Sequence, residues 1–300
     1  MRPLTIRLLS CPRVSHDPRV WHAPPTRATS LLLARLALAP EQPIPRERLV
    51  AEIWPEADVP QGRAALRTTL WRLRQLLEPD GADMGAALLT GPDDTVGLNP
   101  AADIHCDVVA FDRAVLAVLT TPGAAATAAG AASLEAALAE WSGSLMEGFD
   151  EDWIVVERAR LAGLQSEALF AVMDAAAGVA NWHKVLDIGQ RILADDPLRE
   201  SVHRRIIEAH GALGHRTLAL RQFERCAELL RQELAVPPMA ATIAARNRAA
   251  DPQPRAPMPA RTTRDFGAAL QGVEEAIARL HDARRHLATA GPGRPNRSGV

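Results

Sequence analysis

Along residues 4–22 the apolar positions come in short runs, LTIRLLS, PRV and RVWH, separated by the turn formers Ser15, His16, Asp17 and Pro18, and this pattern predicts short strands. The period then lengthens. TRATSLLLARLALA reads as a helix with Thr26 at its N-cap and Pro40 at its end. IPRERLVAEIW reads as a second helix, with Pro45 in its first turn and Pro55 stopping it. VPQGRAALRTTLWRLRQLLEP is a third, stopped by Pro79. ALLT and TVGL, on either side of Gly-Pro-Asp-Asp, predict a hairpin.

Strands, three helices and a hairpin, in that order, are the arrangement of an OmpR-type winged helix-turn-helix, an α+β fold. From Asp103 onward the pattern is nearly all helix. DVVAFDRAVLAVL and SLEAALAEW are two helices, and PGAAATAAGA between them is a low-complexity loop or frayed helix. A loop, SGSLMEGFDED, leads to the long helix WIVVERARLAGLQSEALFAVMDAAAGVA. WHKVLDIGQRILADD, LRESVHRRIIEAHGALG and HRTLALRQFERCAELLRQEL follow. Gly178 and Gly211 are 33 residues apart, and Asp195-Asp196-Pro197 provides a helix break, as in a degenerate tetratricopeptide repeat. The physical reading is a stack of helix pairs with a concave face suited to peptides or protein helices.

Residues 245–262 form a proline-rich linker. Beyond it Phe266, Leu270, Val273, Ile277, Leu280 and Leu287 recur at heptad spacing, which fits a short coiled coil and an amphipathic helix packed on its own domain equally well. The last ten residues are expected to be disordered. Three segments result, mainly helical overall: residues 1–102 as the winged helix-turn-helix, 103–245 as an all-α repeat domain, and 246–300 as linker, amphipathic helix and tail.

The third helix carries the clearest chemistry. At about 100° per residue, Leu66, Leu70, Leu73 and Leu77 fall on one narrow stripe that must pack on the two preceding helices. Thr68, Trp71 and Gln75 fall opposite, flanked by Arg67 and Arg72, with Arg63 and Arg74 nearer the border with the core. Such a face suits a major groove. Arginine bonds guanine in a bidentate way or pairs with phosphate, Thr68 and Gln75 can read base edges, and Trp71 offers apolar contact to a thymine methyl or a sugar. Arg67 and Arg72 are the central pair in this reading. Arg63 acts at the entry end and Arg74 at a phosphate, and Arg27, Arg46 and Arg48 add backbone contacts from the two earlier helices.

Composition changes this picture little. A net charge of −2 does not mark a nucleic-acid protein, but residues 60–77 are locally +4. Lys184 is the one lysine, so the basic patches are almost all guanidinium. Cys11, Cys106 and Cys226 are scattered without a CxxC pair, as expected in a reducing cytoplasm. No run reaches the roughly 20 apolar residues of a membrane span. MRPLTIRLLSC has Arg7 inside its apolar run and does not read as a signal peptide. The nine histidines lack paired ligand spacing, and no GxSxG or HExxH is present, so neither a metal, a cofactor nor an enzyme activity is expected.

At this point the chain resembles a known family. LLLARLALAPEQPIPRERLVAEIWPEADVPQGRAALRTTLWRLRQLLEP is similar to the DNA-binding domain of the actinomycete antibiotic regulatory proteins (SARP type). Gly148-Phe149, Asp152-Trp153, Asp196-Pro197-Leu198-Arg199-Glu200 and Gln222-Phe223-Glu224-Arg225 resemble, in order, the bacterial transcriptional activator domain that follows it there. The resemblance covers about residues 4–245. It implies a cytoplasmic transcription activator whose winged helix binds repeated promoter sites on double-stranded DNA. It also implies a helical domain that supports a homodimer and contacts RNA polymerase, with no membrane role. It makes Arg63–Leu77 the reading helix and Trp54 a core anchor.

Two departures stand out. The start of the first helix, APPTRATS, offers only Arg27 where the family is basic, and the hairpin carries Asp93 and Asp94 with no basic group. Two carboxylates facing phosphate repel it, so either the wing stands off the DNA or affinity is lower than in the family at large. The acidic wing motivates an alternative of another class: a protein-interaction scaffold with tetratricopeptide-like repeats and a winged helix that no longer binds DNA.

Overall fold

The computed structural model describes residues 4–17, 19–78, 87–91 and 93–251. The heptad pattern at 266–287 and the terminal tail lie outside the described residues, as do Pro79 and Pro92. Leu4 to Ala250 belong to one compact unit.

Three strands open the chain: β1 (Leu4–Arg7), β2 (Arg13–Asp17) and β3 (Val20–His22). Alternation puts Leu4, Ile6 and Val14 in the core, with Arg7 opposite Arg13 on the outer face. α1 (Arg27–Ala37) starts at Thr26, whose side chain accepts the Thr29 amide, the cap expected from the sequence. α2 (Arg46–Ile53) begins one residue later than its proline predicted. Pro45 belongs with Ile44 to a two-residue strand, β4, opposite Thr95. Tertiary pairing therefore draws Pro45 out of the first helical turn, where its fixed φ would also have fitted. α3 (Val59–Leu77) is followed by β5 (Leu88–Thr90) and β6 (Thr95–Leu98), the wing hairpin.

β7 (Ile104–Cys106) then returns to lie parallel to β1, giving a four-stranded sheet in the order β3-β2-β1-β7; β4, β6 and β5 form a second. α4 (Asp107–Leu119) leaves directly from β7. The segment PGAAATAAGA is more ordered than a loop: a 3-10 turn at Ala124–Ala126 leads into α5 (Ala128–Ala139), capped by Thr127, whose side chain accepts the Gly130 amide. Alanine's high helix propensity carries the low-complexity run into the helix.

α6 (Asp152–Gly178), α7 (Trp182–Asp195), α8 (Glu200–Ala212) and α9 (Arg216–Glu233) pack consecutively, the stacked-pair arrangement expected from the repeat period. α10 (Ala240–Ala250) folds back onto α8 and α9 and takes in the first residues of the stretch read as linker. Its buried positions, Thr242 and Ala245, are too small to announce an apolar face in sequence. One continuous core runs from Leu4 through Phe111 and Leu161 to Ala209, and a small satellite of Ile207, Ala219 and Ala245 sits under α10. No described helix is long and apolar enough to cross a membrane.

Candidate nucleic-acid interface

α3 is fixed along its length. Asp58 caps it, accepting the Gln61 amide at 2.8 Å, and Pro60 sits in its first turn. Gly62 lets α3 approach α2 so closely that a Cβ there would collide with the Val50 side chain. Leu66, Thr69, Leu73 and Leu77 are buried and Leu70 is half-buried, so the leucine stripe packs inward as its spacing requires. At the far end Glu78 accepts the amides of Ala87 at 2.7 Å and Leu88 at 3.3 Å, which ties the helix to the wing. His16 Nε2 lies 3.2 Å from the Leu76 carbonyl and joins the helix to β2. Trp54, half-buried against the core, closes α2, as its expected anchoring role requires.

The opposite face of α3 is open. Arg63, Arg67, Thr68, Trp71, Arg72, Arg74 and Gln75 are all exposed, and Trp71 shows 62% of its surface. Thr68 spends its hydroxyl proton on the Ala64 carbonyl at 3.1 Å, leaving lone pairs outward. A shallow hollow of about 430 Å³ between α1 and α3 is lined by Thr26, Ala28, Trp54, Thr68 and Arg72, among others.

The candidate arginines fall into two groups. Arg67 and Arg72 have no carboxylate partner among the described residues. The others are engaged within the chain. Arg63 meets Glu47 at 3.1 Å, and Arg74 meets Glu78 at 3.8 Å. Arg48 meets Glu52 at 2.8 Å, a carboxylate it shares with Arg35 at 2.6 Å. Burial alone would raise the Glu52 pKa, but the two arginines hold it below the ordinary value. Arg46 Nε lies 3.1 Å from Asp94 Oδ1, and the Arg46 amide donates to the Asp94 carbonyl at 3.0 Å. Arg27 is bound to Glu151, far along the chain, at 2.9 Å.

Two consequences follow for the site. The wing lacks a basic residue of its own, yet α2 lends it one: Arg46 offsets Asp94, and Asp93 remains exposed. The acids Glu47, Glu52 and Glu151 frame the basic face, and reading the arginine helix alone missed them. RERLVAE showed the first two as charges alternating with arginine, whereas Glu151 had no local signal. Exposed pairs of this kind contribute about 0–1 kcal/mol, so a phosphate can exchange for a carboxylate at Arg63, Arg74 or Arg48. Among the described residues no group of three or more His, Cys, Asp and Glu stands together as a metal site.

Residues 106–249 match the family model described as "Bacterial transcriptional activator domain". The fold is similar to that of Mycobacterium tuberculosis EmbR, solved in complex with a low affinity phosphopeptide, at 21% identity and a TM-score of 0.71. That likeness covers 83% of this chain and 65% of the other, so this chain spans less than two thirds of that protein's length. No curated protein matches the sequence.

Proposed function

We propose that the chain, whose residues 106–249 match the bacterial transcriptional activator domain, is a DNA-binding activator that reads promoter repeats through α3. The observation that carries this reading is the two-sidedness of α3. One face is sealed into the core by Leu66, Leu73 and Leu77, and the other presents Arg67 and Arg72, without a carboxylate partner among the described residues, beside Thr68, Trp71 and Gln75.

In a major groove, Arg67 and Arg72 would supply the guanine or phosphate contacts, with Gln75 and Thr68 at base edges. Phosphate contacts then come from Arg63 and Arg74 by exchange with Glu47 and Glu78. Arg46, neutralising Asp94, permits the wing to lie near the backbone, while Asp93 keeps its tip from gripping it. The helices from α4 onward serve for self-association and for contact with RNA polymerase, and no catalytic step is assigned to the chain. Residues 1–102 act as the reading part and 103–245 as the activating part.

The test is a salt titration of the full chain on DNA from upstream of its own and neighbouring genes, with random DNA as control. Selective binding that weakens steeply with salt is expected, because cations are released from each neutralised phosphate. Equal, weak binding to both DNAs would overturn the reading and favour the scaffold, for which the several self-paired arginines speak.

A further inference from the structure

Arg27 is the only basic residue in APPTRATS, and its neighbours Thr26 and Ala28 line the same hollow as Thr68 and Arg72. It therefore stands at the rim of the candidate DNA face. Its guanidinium is held elsewhere. Nε donates to Glu151 Oε1 at 3.0 Å and Nη2 to Oε2 at 2.9 Å, a bidentate pair. Nη1 donates to the Gly148 carbonyl at 3.1 Å, and the guanidinium carbon lies 4.5 Å from the centre of the Phe149 ring.

These partners belong to a fixed loop. Gly148 adopts φ +84°, a conformation that glycine reaches without strain. Glu151 is the N-cap residue of α6. Arg158, also on α6, donates to the carbonyls of Leu145, Met146 and Phe149 at 2.8 to 3.0 Å. The loop is also bound to the segment after β1. Leu9 pairs with Leu145, the Ser10 amide donates to the Ser144 carbonyl at 2.7 Å, and the Met146 amide donates to the Leu8 carbonyl at 2.9 Å.

We propose that Glu151 is a latch that withholds Arg27 from the DNA backbone, so that the activating part sets how many phosphates the reading part grips. The inference rests on the DNA-binding reading above. Arg27 keeps 53% of its side chain exposed and Glu151 only 21%, so the arginine is the member that can swing out. Rotation of the Arg27 side chain away from Glu151, which the fixed loop before α6 holds in place, frees one guanidinium beside the N-terminal turn of α1. That turn favours an anion, and a DNA phosphate is the group it would meet.

The experiment compares salt titrations of the full chain as wild type, Glu151→Gln, Arg27→Gln and the double variant, each checked for folding by its thermal melt. Releasing the latch adds one phosphate contact, so Glu151→Gln is expected to steepen the slope of log K against log salt by about 0.9. Adding Arg27→Gln to Glu151→Gln is expected to remove that gain, so the double variant falls back to the wild-type slope. An unchanged or flatter slope for Glu151→Gln overturns the latch, and so does a double variant that keeps the steeper slope. If Glu151→Gln does not fold, Glu151→Ala takes its place with the same outcomes. Wild-type binding that is salt-dependent and selective, with Glu151→Gln indifferent, sinks the latch and leaves the DNA reading standing. A wild type without such binding overturns both.

Discussion

The amide of Leu8 donates to both carboxylate oxygens of Asp107, at 2.9 and 3.1 Å, across 99 positions of sequence. Leu9 adds a third bond at 3.0 Å, and Val108 a fourth at 2.7 Å. Asp107 opens α4, so the first residue of that helix secures the segment just after β1. Burial raises its pKa, and the amides of Leu8, Leu9 and Val108 act against that rise by favouring the carboxylate. The neighbouring Cys106 thiol is pushed up to about 12, by burial first and by Asp107 second, which leaves it inert.

Replacing Asp107 by Ala therefore strands three buried backbone donors. The expected cost is about 3 kcal/mol or more of unfolding free energy, read from denaturant titration of the full chain. Asp107→Asn keeps one acceptor oxygen and should cost less. If the alanine variant unfolds at the wild-type midpoint, the junction is not held by this carboxylate.

Gly62 sets how deeply α3 seats on α2. Gly62→Ala drives a methyl group into the Val50 side chain and should cost roughly 1–3 kcal/mol, the usual penalty of overpacking. Val50→Ala in the same chain should recover much of that loss. Recovery is the informative arm, since a general defect in the helix would not respond to it.

Arg67 and Arg72, unpaired among the described residues, and the paired arginines should behave differently on DNA. Arg72→Ala is expected to lose about 1–3 kcal/mol of specific binding if it reads a base, with relaxed preference at one position of the site. Arg67→Ala should act likewise or flatten the salt slope. Arg48, which serves Glu52 together with Arg35, should cost less than either when replaced. Equal losses at all three positions would mean that the helix contributes charge and not recognition.

His203 is buried between α8 and α9, with Nε2 3.0 Å from the Pro197 carbonyl and Nδ1 2.8 Å from Gln222 Nε2. With the Gln222 amide donating to Nδ1, the ring is neutral and its Nε2–H donates to Pro197. Burial lowers its pKa below the ordinary 6.5, and the nearby Arg225 adds to this. The folded state then binds fewer protons than the unfolded one just below that value. Its stabilising share is complete above about pH 6.5 and is lost as pH falls towards the lowered folded value. His210 shifts the same way, by burial and by His215. Unfolding measured on either side of pH 6.5 should show a smaller pH dependence in His203→Gln than in the wild type. An identical dependence would remove His203 from the account.

The sequence by itself determined what depends on near neighbours. Apolar spacing of three and four defined the inward face of α3, Thr26 capped α1 from three residues away, and glycines and prolines marked the repeat helices. Those signals are local because a helix buries one stripe and satisfies its first amides within a single turn. Tertiary structure alone decided the rest. β4 and β7 are two and three residues long and exist only because β6 and β1 lie beside them. Asp94 found Arg46, and Arg27 found Glu151 across 124 positions, so an arginine read as a DNA contact also has a partner within the chain. Charged side chains carry no period that names a partner. Which carboxylate meets which guanidinium follows from the path of the backbone.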